Sequence, residues 1–176
     1  MSKLLVRGIE NLLIEPNQDQ IMDTIILIAA MTKRRVIGRN NALPWNIPEE
    51  LQHFRTATLN STVIMGRKTY DSIGRLMPKR HNIIVSRSSP NIPGADVCSS
   101  LDEALKKAKT YNKTTFIIGG AQIFKEALPI ADKMYLSFIK KEYDGDTFFP
   151  EFDESRWTIE KREEHQEFEF VVLRKK

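Results

Sequence analysis

Residues 24–31 read TIILIAAM, an unbroken apolar run with polar chain on either side. Its length and its β-branched residues predict a strand buried on both faces, as in a parallel sheet. Working outward, TVIMG (62–66), HNIIVS (81–86), TTFIIGG (114–120) and KMYLSFI (133–139) have the same character. Helical segments are expected between them. One starts near Pro48 and runs through LQHFRTATL (51–59); a short one, RKTYDSIG (67–74), is ended by Gly74; SLDEALKKAKT (100–110) and AQIFKEAL (121–128) follow. In the first, Asn46 is the expected N-cap, Pro48 suits the first turn, and Glu49 and Glu50 complement the positive helix end. In the third, Ser100 is the expected N-cap, with Glu103 completing a capping box. The tail segments WTIEKREEH (157–165) and EFEFVVLRK (167–175) alternate apolar and polar residues and predict an antiparallel hairpin. The expected fold is a single α/β domain: a mostly parallel central sheet with an antiparallel edge strand, flanked by helices.

The 176 residues suit one domain with a real core, and 41% hydrophobic and 28% charged residues read as an ordinary globular protein. A net charge of +4 favours anionic partners without choosing among them. Cys98 is the single cysteine, which excludes an internal disulfide and a Cys-rich metal site. It reads as a buried apolar residue, and the expected location is cytoplasmic. No segment approaches the roughly 20 apolar residues that span a bilayer. His53, His81 and His165 lack metal-ligand spacing and read as surface residues, so no metal is expected. Residues 1–22 lie outside the pattern and are expected to be a flexible N-terminal extension to a domain at 23–176. Leu5, Ile9, Leu12 and Leu13 could share one face of a short helix ended by Pro16.

Two strand-to-helix junctions suit phosphate. At MGRKT (65–69) a helix opens directly after Gly66. Its free N–H groups and dipole favour an anion, Thr69 adds a hydroxyl, and Arg67 and Lys68 add charge. At IIGGAQIF (117–124) two glycines let backbone approach a ligand closely. Neither is the G-x-G-x-x-G fingerprint, and each alone also reads as a plain βα turn. A third loop, SRSS (86–89), carries Ser86 and Arg87. Arg and Ser there suit a 2′-phosphate and so favour NADPH over NADH. The densest segment is ALPWNIPEELQHF (42–54), where a helix puts Glu50 and Phe54 on one face, with Leu51 beside them. A carboxylate among Leu, Phe and Trp45 would need a partner if buried, and a planar amidine-like ligand offers two N–H groups. Glu49 and Glu50 read equally well as ordinary first-turn charges.

TIILIAAM, GRNNALPWNIPEEL (38–51), TVIMGRKTYDSIGR (62–75), HNIIVS, IIGGAQIF and DGDTFFP (144–150) stand in the order and spacing of dihydrofolate reductases, and the resemblance covers roughly residues 24–174. It implies reduction of 7,8-dihydrofolate to 5,6,7,8-tetrahydrofolate with NADPH, in one-carbon metabolism, by an antifolate target; the oligomeric state is not fixed by the sequence, and a monomer is the default expectation. It implies that Glu50 grips pterin N3 and the 2-amino group, that Trp45 holds a water beside that carboxylate, and that Ser137, where Thr is frequent, links the carboxylate and the 2-amino group. Ile28, Ala29 and Ile118 are implied in the pterin slot, Leu51, Phe54, Ile73 and Met77 around the benzoyl group, and Arg80, with Arg55 and Arg75, at the glutamate tail. Ala30 and Ile37 are implied nicotinamide contacts, and residues 38–45, with Gly38, Asn41 and Leu43, a mobile loop that Asp146 braces. Arg67, Lys68, Thr69, Ser86 and Arg87 are implied at the cofactor's phosphates. Gly119, Gly120, Ala121, Gln122, Ile123 and Phe124 are implied at its pyrophosphate, with Gly119–Gly120 cis. Ala121 stands in place of a frequent glycine, and Phe124 in place of a frequent Tyr. Two other readings remain: a riboflavin-pathway pyrimidine reductase of similar fold, which would need neither Glu50 nor Arg80, and a non-catalytic nucleotide- or nucleic-acid-binding protein. Stacking platforms for the latter are not evident.

Overall fold

The computed structural model describes residues 24–176; the expectations for residues 1–22 lie outside the described residues. The elements in chain order are β1 (Ile25–Thr32), β2 (Val36–Gly38), α1 (Pro48–Ala57), β3 (Thr62–Gly66), α2 (Arg67–Ile73), β4 (His81–Val85) and β5 (Ala95–Cys98), then α3 (Leu101–Lys109), β6 (Thr115–Gly119), α4 (Ala121–Ala127), β7 (Lys133–Ile139), β8 (Thr147–Phe148), β9 (Trp157–Glu164) and β10 (Phe168–Lys175). The main sheet has the order β5-β4-β3-β6-β1-β7-β10-β9. From β5 to β7 every pairing is parallel. β10 then runs antiparallel to β7, and β9 closes the hairpin at the edge. This is the α/β domain expected, with its antiparallel addition at one edge.

Alternation along the strands sorts the core into two faces. Leu27 and Met31 of β1 join Ile64, Ile83, Ile117 and Leu136 beneath α3 and α4. Ile26 and Ile28 point the other way, to Val63, Met65, Ile84 and Phe116, where Phe54 of α1 and Tyr70 of α2 pack. Trp45, Ile47, Phe168 and Phe170 form a third cluster beside the hairpin. Every parallel strand ends at the same side of the sheet, the usual location of ligand sites in open α/β sheets.

Three local expectations need correction. Asn46 does not cap α1; the N-cap is Ile47, and no side chain serves. Ile47 precedes a proline, which holds it extended (φ −122°, ψ 93°), and it is buried in the cluster with Trp45. The helix stops at Ala57 rather than running to Leu59: Leu59 N–H reaches back to the Thr56 carbonyl (3.4 Å), and Asn60 turns the chain away at φ 57°. In α3 the Ser100 hydroxyl does accept from Glu103 N–H (3.2 Å), but the Glu103 carboxylate accepts from Ser99, not from the N-cap backbone.

Candidate active site

Glu50 occupies the first turn of α1 and is only 8% exposed. Phe54, one turn on, packs against the face formed by Ile28, Met65 and Phe116, where Met77 and Ile118 also pack. The Ser137 hydroxyl of β7 donates to the Glu50 carboxylate. Register places Ser137 between Ala30 of β1 and Phe170 of β10. Burial pushes the Glu50 carboxyl above the usual carboxylate range, and the Ser137 hydrogen bond offsets part of that rise. Among the described residues no basic side chain forms an ion pair with Glu50. Trp45 is also buried, and its indole N–H has no hydrogen-bond partner among the described residues.

The apolar residues divide by depth. Ile28 is buried and Ala30, Phe54, Met77 and Ile118 are half-buried, whereas Leu51 and Ile73 stand exposed. Ala29 sends its side chain to the opposite face, with Leu27 and Met31, so it can reach the slot only through its backbone. Arg55 and Arg75 are exposed. Arg80 is held: its guanidinium donates to the Arg55 carbonyl (2.5 Å), the Pro78 carbonyl (2.6 Å) and the Thr58 hydroxyl (3.2 Å). Burial, and then the Arg55 charge, lower its pKa.

Along the carboxyl ends of β4, β3 and β6 the three phosphate-type loops lie side by side. α2 and α4 open at Gly66 and Gly120 with no side chain capping either, which leaves first-turn N–H groups available. The two turns touch. A Cβ on Gly66 would lie 3.3 Å from Ile123 Cγ1 and 3.7 Å from the Gly120 nitrogen; one on Gly120 would meet Thr69 Oγ1 at 3.4 Å. Gly119 has φ +125°, and the Gly119–Gly120 peptide is cis, as the resemblance implied. Phe124 is buried with the core and Gln122 is exposed. Ser86 is buried, its hydroxyl 3.0 Å from that of Ser88, while Arg87 and Lys68 are exposed and Arg67 pairs with Asp71 at 2.9 Å. This glycine-lined, basic, amide-rich edge fits a dinucleotide carrying a 2′-phosphate.

Just past β2 the chain makes a tight turn at residues 39–42. Arg39 and Ala42 exchange backbone hydrogen bonds (2.8 and 3.0 Å), with Asn40 and Asn41 at φ 50° and 60°, a region asparagine tolerates. Leu43 is 55% exposed, and Ile37 packs into the core. The second loop braces this one. Asn40 N–H donates to Asp146 Oδ2 at 2.9 Å, Asp146 N–H to the Gly38 carbonyl at 3.0 Å, and the Thr147 hydroxyl to Asp146 Oδ1 at 2.9 Å. Gly145 permits the approach, since a Cβ there would sit 2.3 Å from Val36 Cγ1 and 2.5 Å from the Gly38 oxygen. Sequence reading passed over Gly145, although its place between two aspartates is a turn signal. Arg34 adds a second clasp to Glu142 (3.1 Å) and Asp144 (3.3 Å).

Two expectations about isolated residues change. His53 and His165 are not plain surface residues: the His53 ring, on α1, packs tilted against Phe170, and the His165 ring stacks on Phe168. His81 stacks on Tyr111. Cys98 is half-buried rather than buried, and burial together with Glu103 and Asp96 raises its thiol pKa, which keeps it a thiol. Among the described residues no group of side chains is arranged to hold a metal ion, and no helix is long and apolar enough to cross a membrane.

Known proteins resemble the chain over most of its length. The family model for dihydrofolate reductase matches residues 24–174. A dihydrofolate reductase of Haemophilus influenzae is 41% identical over 160 residues, covering 87% of this chain and 99% of that one. The type 3 dihydrofolate reductase of Salmonella typhimurium is 43% identical over 142 residues, covering 80% and 87%. The solved dihydrofolate reductase of Enterococcus faecalis, complexed with NADP(H) and RAB-propyl, superimposes with a TM-score of 0.82 at 30% identity, covering 88% of this chain and 98% of that one. With a matching sheet, a buried helix carboxylate and a dinucleotide edge already in place, the chain belongs to the dihydrofolate reductase family.

Proposed function

We propose that this chain reduces 7,8-dihydrofolate to 5,6,7,8-tetrahydrofolate with NADPH, and that Glu50 is the carboxylate that binds the pterin. One observation carries this reading: Glu50 is a buried carboxylate with a single hydroxyl donor and, among the described residues, no cation. A buried charge needs a partner, and the paired N–H groups of N3 and the 2-amino substituent supply one in bidentate geometry.

The cofactor residues follow the same logic. The first turns of α2 and α4, with Gly66, Thr69 and Gly119 to Phe124, hold the pyrophosphate. Lys68 adds charge at the first turn of α2, Arg67, Ser86 and Arg87 hold the 2′-phosphate, and Ala30, Ile37 and the 38–45 loop bound the nicotinamide. NADPH supplies the hydride that reduces pterin C6. The chain's own residues orient and exclude water. Ile28, Phe54, Met77 and Ile118 wall the slot, with Ala29 contributing backbone and Leu51 and Ile73 at the mouth. Arg80 receives the glutamate α-carboxylate, with Arg55 and Arg75 nearby. Glu50 binds the edge of the ring remote from N5, so water delivers that proton. Trp45 N–H is free to donate to a water beside the carboxylate. Closure of the 38–45 loop holds the rings in near-attack geometry. The protein acts in the cytoplasm as a monomer.

The test is NADPH oxidation, followed by absorbance, with and without dihydrofolate, in wild type and Glu50→Gln. Rapid wild-type turnover lost in the variant supports both statements. Turnover that survives in the variant removes the role of Glu50. Absence of turnover in wild type that binds NADPH tightly points instead to a pyrimidine substrate of the riboflavin pathway.

A further inference from the structure

α1 carries two neighbouring stripes. Glu50 and Phe54 lie on the slot side, while Glu49 and His53 lie one residue earlier, about 100° away around the helix axis. The second stripe is gripped by the β9–β10 hairpin. His165 Nδ1 stands 2.7 Å from Glu49 Oε1. The His165 ring stacks on Phe168 (centroids 4.3 Å apart, planes at 8°), and the His53 ring lies 4.1 Å from that of Phe170. Glu163 faces both histidines, its Oε2 3.8 Å from His53 Nε2 and 3.7 Å from His165 Nε2, while its Oε1 pairs with Lys161.

The grip is anchored on the strand that carries Ser137. His165 N–H donates to the Phe168 carbonyl at 2.9 Å, and Lys140, just past β7, donates its ammonium to the His165 carbonyl at 2.5 Å and its backbone N–H to the Glu167 carbonyl at 3.0 Å. Lys140 also pairs with Glu164. Thus β7 reaches α1 by two routes: directly, from Ser137 to Glu50, and through the hairpin turn, from His165 to Glu49. A helix held only at Glu50 can still roll about its axis; a second hold one residue away fixes the roll.

We propose that His165 is a positioning residue for Glu50: by holding Glu49 it sets the rotation of α1 and so aims the neighbouring carboxylate into the slot. This rests on Glu50 being the pterin carboxylate. His165 touches neither substrate nor cofactor. Its contribution is to pterin affinity and not to the cofactor edge, which is built on other strands.

The test uses the full-length enzyme. His165→Phe keeps a ring to stack on Phe168 and loses the N–H; His165→Asn keeps a donor where Nδ1 stands. A misaimed Glu50 carboxylate should raise the dihydrofolate Kd and KM about tenfold in His165→Phe, with kcat and the NADPH Kd changed by less than roughly twofold. His165→Asn should recover most of that loss. In a Glu50→Gln background His165→Phe should add nothing to the dihydrofolate Kd. The proposal is overturned if His165→Phe lowers Tm and leaves the dihydrofolate Kd unchanged, if the Asn variant is as impaired as the Phe variant, or if the full effect persists without the Glu50 carboxylate. Should Glu50→Gln alone leave dihydrofolate affinity intact, the reading of Glu50 itself fails, and this proposal with it.

Discussion

The hydroxyl of Ser137, on a central strand, donates to the carboxylate of Glu50, on a helix lying across the sheet. That contact joins β7 to α1 and makes the ionisation of Glu50 depend on both burial and a single donor.

The donor itself can be removed. Ser137→Ala removes the interaction that favours the charged form of Glu50 while leaving it buried, so the carboxyl pKa should rise further. NMR titration of the apo-enzyme carboxyl reads this directly. A Glu50 titration in Ser137→Ala at or below its wild-type position would contradict it.

Stability should follow pH with a definite sign. The folded-state pKa of Glu50 is raised, so the folded chain binds its proton more tightly than the unfolded chain does. Stability from this group is therefore full below the unfolded carboxyl pKa and falls as pH rises through the folded one. Glu50→Gln removes the cost of burying a charge. The apo variant should be the more stable of the two at neutral pH, with the difference shrinking as pH falls through the raised folded pKa toward the ordinary carboxyl value of 4.5 and constant below it. Denaturant midpoints across that range decide the matter.

The loop brace should matter to chemistry more than to binding of the pterin. Asp146→Ala removes the acceptor of Asn40 N–H, and the hydride-transfer rate in single-turnover measurements should fall. Gly145→Ala should act similarly and more strongly, since its Cβ would overlap the Gly38 backbone; forced overpacking of this kind costs about 1–3 kcal/mol. Unchanged hydride transfer in both variants would show that this contact does not hold the loop in its working position.

Gly119→Ala tests the cofactor edge. The residue has φ +125°, and a Cβ would lie 3.3 Å from Phe124 and 3.5 Å from Thr69 Oγ1. NADPH affinity, read by fluorescence, should drop at least about tenfold, the equivalent of roughly 1.4 kcal/mol, with a loss of Tm besides. Retained affinity would place the pyrophosphate away from this turn.

Much of this fold is legible locally. β1, β3, β4, β6 and β7 are runs dense in apolar and β-branched residues, and α3 carries its own cap in Ser100. β2, β5 and β8 are three, four and two residues long and exist because a partner strand lies beside them, so nothing in their own residues announces them. The phosphate turns were visible as glycines and basic residues after strands. Their contact with one another was not, because Gly66 meets Gly120 only when β3 and β6 pair.

Sequence alone determined the alternation of strand and helix, the positions of the strand-to-helix turns and the residue types within them, because these depend on periodicity and on backbone freedom over a few residues. It left open whether Glu50 was a first-turn charge or a buried one, and it made His165 a surface residue. Tertiary structure decided both. Burial and electrostatic environment come from residues remote in the chain, Ser137 for Glu50 and Phe168 and Glu49 for His165, and no local pattern encodes which of them a folded sheet brings together.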